Sequence, residues 1–307
     1  MRPSRRFSGI QPSIRRFPPG SAAATAQKVT GRPAEWQPGG MSQPERAAPA
    51  NRRRPPPPFR PLKILGTEPL SPRMCRVTVG GPGLEGFTVP QPAASVRVLM
   101  PSPDQPLVVP DWTGNEFRLP GGERPTIRTL TPRRFNPSRL ELEVDVVIHE
   151  GGAASDWARS ARPGDDCAVS GPARGYRIDP DAAGYVLAGD ETAIPAISQL
   201  WEELPVDVPV EAYIEIAAAD ARLALPTRWQ ATVTWLDLPA GAVSGESLVA
   251  AVRDANMAPG ARVWAAGEAA SVQRIRRHLF EARALAREDA TVRGYWKYGR
   301  AGGADND

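Results

Sequence analysis

Residues 184–204 read GYVLAGDETAIPAISQLWEEL, and they settle the second half of the chain. A short apolar run ends at Gly189, and from there Ile194, Ile197, Leu200, Trp201 and Leu204 recur at helical spacing. The reading is strand, tight turn, helix. The same unit returns downstream in VEAYIEIA (210–217), TVTWLDL (232–238), the amphipathic GESLVAAVRDA (245–255), ARVWAAG (261–267) and the long EAASVQRIRRHLFEARALA (268–286), and TVRGYWKYG (291–299) closes the series. Alternation of this kind predicts a parallel sheet with helices on its faces, whose ligands sit at the carboxyl ends of the strands.

Upstream the texture differs. MCRVTVGG (74–81), ASVRVLMP (94–101), PTIRTL (125–130) and LELEVDVVIH (140–149) are short β-rich runs between Pro and Gly turns. In the last, Leu140, Leu142, Val144 and Val146 alternate with Glu141, Glu143 and Asp145, the pleat period of a half-buried strand. Strands at this spacing predict a small antiparallel barrel, with AVSGPARGY (168–176) as its last strand and exit. The expected fold class is therefore β plus α/β. An antiparallel β-barrel domain spans 59–178, a parallel-sheet α/β domain spans 179–300, and 301–307 form a flexible end.

Residues 1–58 hold 12 prolines and no apolar period, so they cannot bury enough surface to offset chain entropy and are expected to be disordered. Met41 is an alternative start. Ten arginines and Lys28 oppose Glu35 and Glu45 there, a local charge of +9; with +4 for the whole chain, the remainder carries −5. An acidic body argues against a nucleic-acid groove. Cys75 and Cys167 lie far apart with no metal-ligand spacing, and with His149 and His278 as the only histidines neither a metal cage nor a Ser-His-Asp hydrolase is expected. No apolar run reaches the roughly eighteen residues of a membrane span. Arg5 and Arg6 are not followed by an apolar export segment, so a cytoplasmic location is expected.

Three further stretches can carry chemistry. IRTLTPRRF (127–135) brings Arg128, Arg133 and Arg134 together with two threonines. An arginine there can grip a phosphate bidentately, and alternation sends Thr129 and Thr131 to one side and Arg128 and Leu130 to the other. The same stretch also reads as a strand end with solvated arginines. HEGGAASDWARSA (149–161) places Gly151 and Gly152 before a helix that carries Ser155 and Trp157. Such a turn is either a seat for pyrophosphate or an ordinary loop. RGYWKYGR (293–300) sets Tyr295, Trp296 and Tyr298 around Lys297, either covering a ligand or closing the core.

Taken together, the segments from Phe59 to Gly299 resemble the siderophore-interacting protein family, flavin-dependent ferric-siderophore reductases of ferredoxin-reductase type. The family's Arg-x-Tyr-Thr-x-Arg motif is matched by Arg128, Leu130, Thr131 and Arg133. Its His-x-x-Gly-Pro-Ala-Ser-x-Trp segment is matched by His149, Gly152, Ala153, Ala154, Ser155 and Trp157. The Ala-Gly-Asp-Glu-Thr-Ala-x-Pro-Ala-Ile signature stands at 188–197, and Ala266–Ala269 and Gly294–Trp296 match two later blocks. Leu130 replaces the family's tyrosine, and Ala153 its proline.

The resemblance implies FAD and NAD(P)H as cofactors, a ferric siderophore as substrate, and ferredoxin as an alternative electron donor. It assigns cofactor binding to Arg128, Thr129, Leu130, Thr131, Arg133, His149, Gly152, Ala153, Ala154, Ser155, Trp157, Asp190, Glu191, Thr192, Glu268 and Trp296. Substrate contact falls to Arg97 and Lys297, with no catalytic acid, base or metal ligand. Alternative readings are a flavin reductase for another acceptor and a siderophore-binding accessory protein without turnover.

Overall fold

The computed structural model describes residues 55–102, 105–239 and 241–299; the segments expected to be disordered or flexible, 1–58 and 301–307, lie outside these residues except for 55–58. The first half contains β1 (Arg60–Ser71), β2 (Met74–Gly80), β3 (Ser95–Leu99), a small hairpin of β4 (Asp111–Trp112) and β5 (Phe117–Arg118), β6 (Ile127–Leu130), β7 (Pro132–Asn136), β8 (Glu141–Val147), helix α1 (Ala153–Ser160) and β9 (Asp166–Ala173). Seven strands form one sheet in the order β6-β3-β9-β1-β2-β8-β7. Its two outer strands, β6 and β7, are consecutive in the chain and separated by Thr131 alone, so the sheet closes on itself. Closure removes the exposed edges that an open sheet would leave. The stretch IRTLTPRRF is thus the seam of the barrel.

Alternation fills the barrel interior. Leu142, Val144 and Val146 of β8 pack with Val77 and Val79 of β2, Val96 and Val98 of β3, and Cys167 and Val169 of β9. Val144 is fully buried, which contributes about 1.5–3 kcal/mol for a side chain of this size. Asp145 is the exception on this strand: it is buried, and its carboxylate is gripped by Arg76 on the paired strand at 2.7 and 3.0 Å.

The second half contains β10 (Gly184–Asp190), α2 (Ile194–Glu203), β11 (Val210–Ile216), β12 (Ala231–Asp237), α3 (Glu246–Asp254), β13 (Ala261–Glu268), α4 (Ala269–Arg277) and β14 (Ala290–Trp296). All five strands are parallel in the order β12-β11-β10-β13-β14, so the chain reverses direction across the sheet between β10 and β13. That reversal opens the crevice where such sheets bind ligands. Tyr185 and Leu187 face α2, while Val186 and Ala188 face α3 and α4; the unbroken apolar run of β10 records burial on both faces. The long helix expected over 268–286 is shorter: α4 ends at Arg277 and a single π-turn, His278–Ala282, follows.

The two halves are fastened together. Gln199 of α2 donates to the carbonyls of Pro132 (2.7 Å) and Arg133 (3.2 Å) and accepts from the Ala93 amide (2.9 Å). Arg293 of β14 donates to the carbonyls of Ala93 and Gly175 at 2.8 and 2.9 Å. Arg73, in the β1–β2 turn, forks onto Glu191 at 2.8–2.9 Å, and Arg133 binds Glu202 of α2 through two bonds.

Candidate functional site

The seam and the crevice supply the two halves of a site. On β6, Arg128 is half-buried; its guanidinium donates to the Ile127 carbonyl at 2.9 Å and has no carboxylate partner among the described residues. Burial pulls its pKa down from the ordinary 12.5. A cation held partly out of water without a counter-charge fits an anionic ligand. On β3, Arg97 lies beside Thr129 of β6 and Ser170 of β9, and it too forms no ion pair among the described residues. Thr129 is exposed, whereas Leu130 is half-buried against the barrel core.

Thr131, at the corner of the seam, is 6% exposed and meets the Tyr295 phenol. Burial pushes that phenol up to about 12, against the opposing pulls of Arg293 and the Thr131 hydroxyl. The Tyr295 ring packs edge-on to the buried Trp264, centroids 6.3 Å apart, against the core of the α/β domain.

Strand β8 pairs with β7 as far as Val144 opposite Pro132, and it continues past the corner to touch β6. Helix α1 follows and packs on β8 and β2. Gly151 has φ +69, a left-handed conformation that favours glycine, and Gly152 lies under the His149 ring, whose atoms would stand 2.4–2.5 Å from an added Cβ. No side chain caps α1; its first internal bond runs from the Asp156 amide to Gly152 O, which leaves the N–H groups of Ala153, Ala154 and Ser155 ahead of it. Ser155 is fully buried. Its hydroxyl donates to Val147 O (3.0 Å) and accepts from the His149 amide (3.1 Å), so the side chain fixes the loop. Trp157 packs into the barrel core, and His149 is exposed, bonded to its neighbour's carbonyl. Taken together, Arg128 and the α1 amides fit the diphosphate of a flavin dinucleotide.

At the crevice, Asp190 is a hub. It accepts from the Thr192 amide (2.9 Å) and hydroxyl (2.5 Å), from the Glu268 amide (2.8 Å) and from the Trp296 indole (2.7 Å). Burial raises its pKa while these four donors oppose the rise. One carboxylate thereby ties the ends of β10, β13 and β14 together. Gly267, at φ +152, is required because an added Cβ would fall 2.5 Å from Asp190 Oδ2. Glu191 is buried under Arg73 and also accepts the Ala217 amide at 2.7 Å; Glu268 accepts the Ser271 amide at 2.9 Å. Lys297 lies exposed just past β14.

The structure thus places Arg128 and Thr131 on the seam and residues 152–155 at the start of α1, and it joins Asp190, Thr192, Glu268 and Trp296 in one crevice. It sends Arg133, Glu191 and Trp157 into packing. Sequence reasoning missed Arg73, Gln199 and Glu202, whose partners are distant in the chain and leave no local signature.

A closed antiparallel barrel followed by a five-stranded parallel sheet is the ferredoxin-reductase-like fold. The Amycolatopsis cytochrome P450 reductase shares this fold with a TM-score of 0.55 at 20% identity, covering 80% of this chain and 72% of that one. Residues 63–176 match the siderophore-interacting FAD-binding domain and residues 182–299 the siderophore-interacting protein domain. This chain belongs to the siderophore-interacting protein family. A siderophore utilization protein from T. fusca superposes with a TM-score of 0.72 at 35% identity, over 81% of this chain and 96% of that one. Among curated relatives, the NADPH-dependent ferric-chelate reductase of Escherichia coli K12 is 38% identical over 147 residues, 48% of this chain and 57% of its own length. The ferric vibriobactin reductase ViuB of Vibrio cholerae is 26% identical over 244 residues, 78% of this chain and 89% of its own. The matched FAD-binding domain makes FAD the resident cofactor. Among the described residues no helix is long and apolar enough to cross a membrane, and no cluster of metal-ligating side chains is present.

Proposed function

We propose that this chain is a cytoplasmic FAD-dependent ferric-siderophore reductase that takes electrons from NAD(P)H, with ferredoxin as the other candidate donor, and releases iron as Fe(II). Arg128 carries the reading: a half-buried cation with no carboxylate partner among the described residues, on the seam of a barrel that matches an FAD-binding domain. Bound FAD supplies the junction between a donor that gives two electrons at once and a ferric centre that accepts one. Arg128 and the amides of 153–155 hold the diphosphate, and Thr131, positioned by Tyr295, borders the ring edge. Asp190 holds Trp296 in place through its indole N–H and keeps the crevice wall rigid where the donor approaches. Arg97 and Lys297 provide positive charge for an anionic ferric complex. Overall, NAD(P)H and two ferric complexes give NAD(P)+, a proton and two ferrous ions. Reduction frees the metal because hard oxygen ligands hold Fe(III) far better than Fe(II). No side chain needs to act as acid, base or nucleophile, in keeping with an exposed His149 and the position of His278 at the far end of α4.

Anaerobic NAD(P)H oxidation by the FAD-loaded protein, with a ferrous chelator as trap, tests the proposal. Two ferrous ions should form per NAD(P)H, and only when ferric siderophore is present. NAD(P)H consumption without ferrous iron would assign the chain to another acceptor.

A further inference from the structure

Dinucleotide-binding sheets usually seat a diphosphate on a helix N-terminus at the carboxyl edge, where free N–H groups and the helix dipole favour negative charge. Three helices start at this edge, and a carboxylate of the chain itself takes up amides in the turn leading into α2 and at the starts of α3 and α4. The turn that opens α2 is capped by Asp190, which accepts the Thr192 amide and hydroxyl. Glu215, at the end of β11 and 2% exposed, accepts the Gly245 amide at 2.5 Å, the Ser244 hydroxyl at 3.3 Å and the Leu248 amide at 3.3 Å, all at the start of α3. Glu268 caps α4 through the Ser271 amide.

The cations of the rim are similarly engaged. Arg73 is held by Glu191, and Arg222 binds Asp237 at 3.0 and 3.1 Å. A diphosphate approaching this edge would meet buried negative charge where it needs donors, and the repulsion acts at short range in a medium that screens poorly. Lys297, past the end of β14, is exposed and has no carboxylate partner among the described residues.

We infer that the α/β domain recognises a reduced nicotinamide donor by its mononucleotide half and leaves the adenylate half and the diphosphate link unbound, because Asp190, Glu215 and Glu268 fill the three seats such a link would use. The inference rests on the reading above, that a nicotinamide reduces the chain. Its consequence is a donor preference unlike that of a dinucleotide-specific reductase: truncating the donor removes no productive binding energy, so rate and KM are barely changed.

The test compares NADPH, NADH and reduced nicotinamide mononucleotide as reductants of the FAD-loaded full chain in anaerobic stopped flow, with ADP-ribose binding measured by calorimetry. The three second-order rate constants should agree within about threefold, and ADP-ribose should show no binding at millimolar concentration. A mononucleotide rate some hundredfold below that of NADPH, or micromolar binding of ADP-ribose, would overturn the inference and leave the reductase reading intact. If none of the three donors reduces the flavin, while the dithionite-reduced protein still converts ferric siderophore to ferrous iron, the donor half of the reading is wrong and the inference goes with it.

Discussion

The barrel seam and the carboxyl edge of the parallel sheet treat charge in opposite ways. At the seam, Arg97 and Arg128 have no carboxylate partner among the described residues, and the first amides of α1 are left uncapped. At the carboxyl edge, Asp190, Glu191, Glu215 and Glu268 are buried anions, each paired with backbone amides or arginine from the same chain. A buried charge persists only where something neutralises it. The edge is complete by itself and works as scaffold, whereas the seam requires an outside anion and works as a site.

The contrast can be tested most severely at the Arg73–Glu191 pair. Glu191→Ala leaves Arg73 and the Ala217 amide without their shared acceptor, and breaking a pair this enclosed should cost about 3 kcal/mol, read as a lowered urea midpoint whether or not FAD is present. Arg128→Ala should do the reverse. Stability without cofactor should hold or rise slightly, and FAD affinity should fall about a hundredfold, giving protein that purifies colourless. Full yellow absorbance in that variant would remove Arg128 from the site.

Acid separates the regions by sign. For Glu202, burial opposes ionisation, but the bonds from Arg133 prevail and hold its pKa below the ordinary 4.5. Its contribution is therefore present above pH 4.5 and lost as pH falls through the depressed value. Asp190 and Glu215 are raised by burial, so the native state binds their protons more readily than the unfolded chain; stability tied to them is greatest in acid and lost as pH climbs through the raised values. Thermal unfolding across this range should show wild type ahead of Glu202→Gln by about 1 kcal/mol at neutral pH, the gap closing in acid. A gap independent of pH would mean that the pair contributes packing alone. The smallest effect is expected from Leu130→Tyr, which adds a ring at the seam and should tighten FAD by a few-fold or shift its spectrum. An unchanged dissociation constant and spectrum would place position 130 away from the ring.

Much of this architecture is legible in the sequence where periodicity speaks for itself. The alternation of 140–149 becomes β8, and the unit at 184–204 becomes β10 and α2. Spacing could not say that β10 and β13 lie side by side, since strand order is a tertiary fact; the register from Gly184 opposite Ala261 to Gly189 opposite Ala266 supplies it. The β4–β5 hairpin was not read because each strand has only two residues, too few to show a period. Within the site, Arg128 and Arg133 look alike on paper. An irregular register between Pro132 and Arg134 disturbs the alternation at Arg133, which ends on Glu202 of α2, a partner 69 residues away. Trp157 likewise sits in a segment that looks cofactor-facing but turns its ring into the barrel, and only the path of α1 decides this.

A structure of the chain with FAD bound tests the central claim most directly. The account predicts the diphosphate within hydrogen-bonding distance of the Arg128 guanidinium and the amides of residues 153–155, with the ring edge at Thr131. FAD phosphates found instead at the carboxyl edge, beside Asp190 and Glu268, with Arg128 facing solvent, would contradict it.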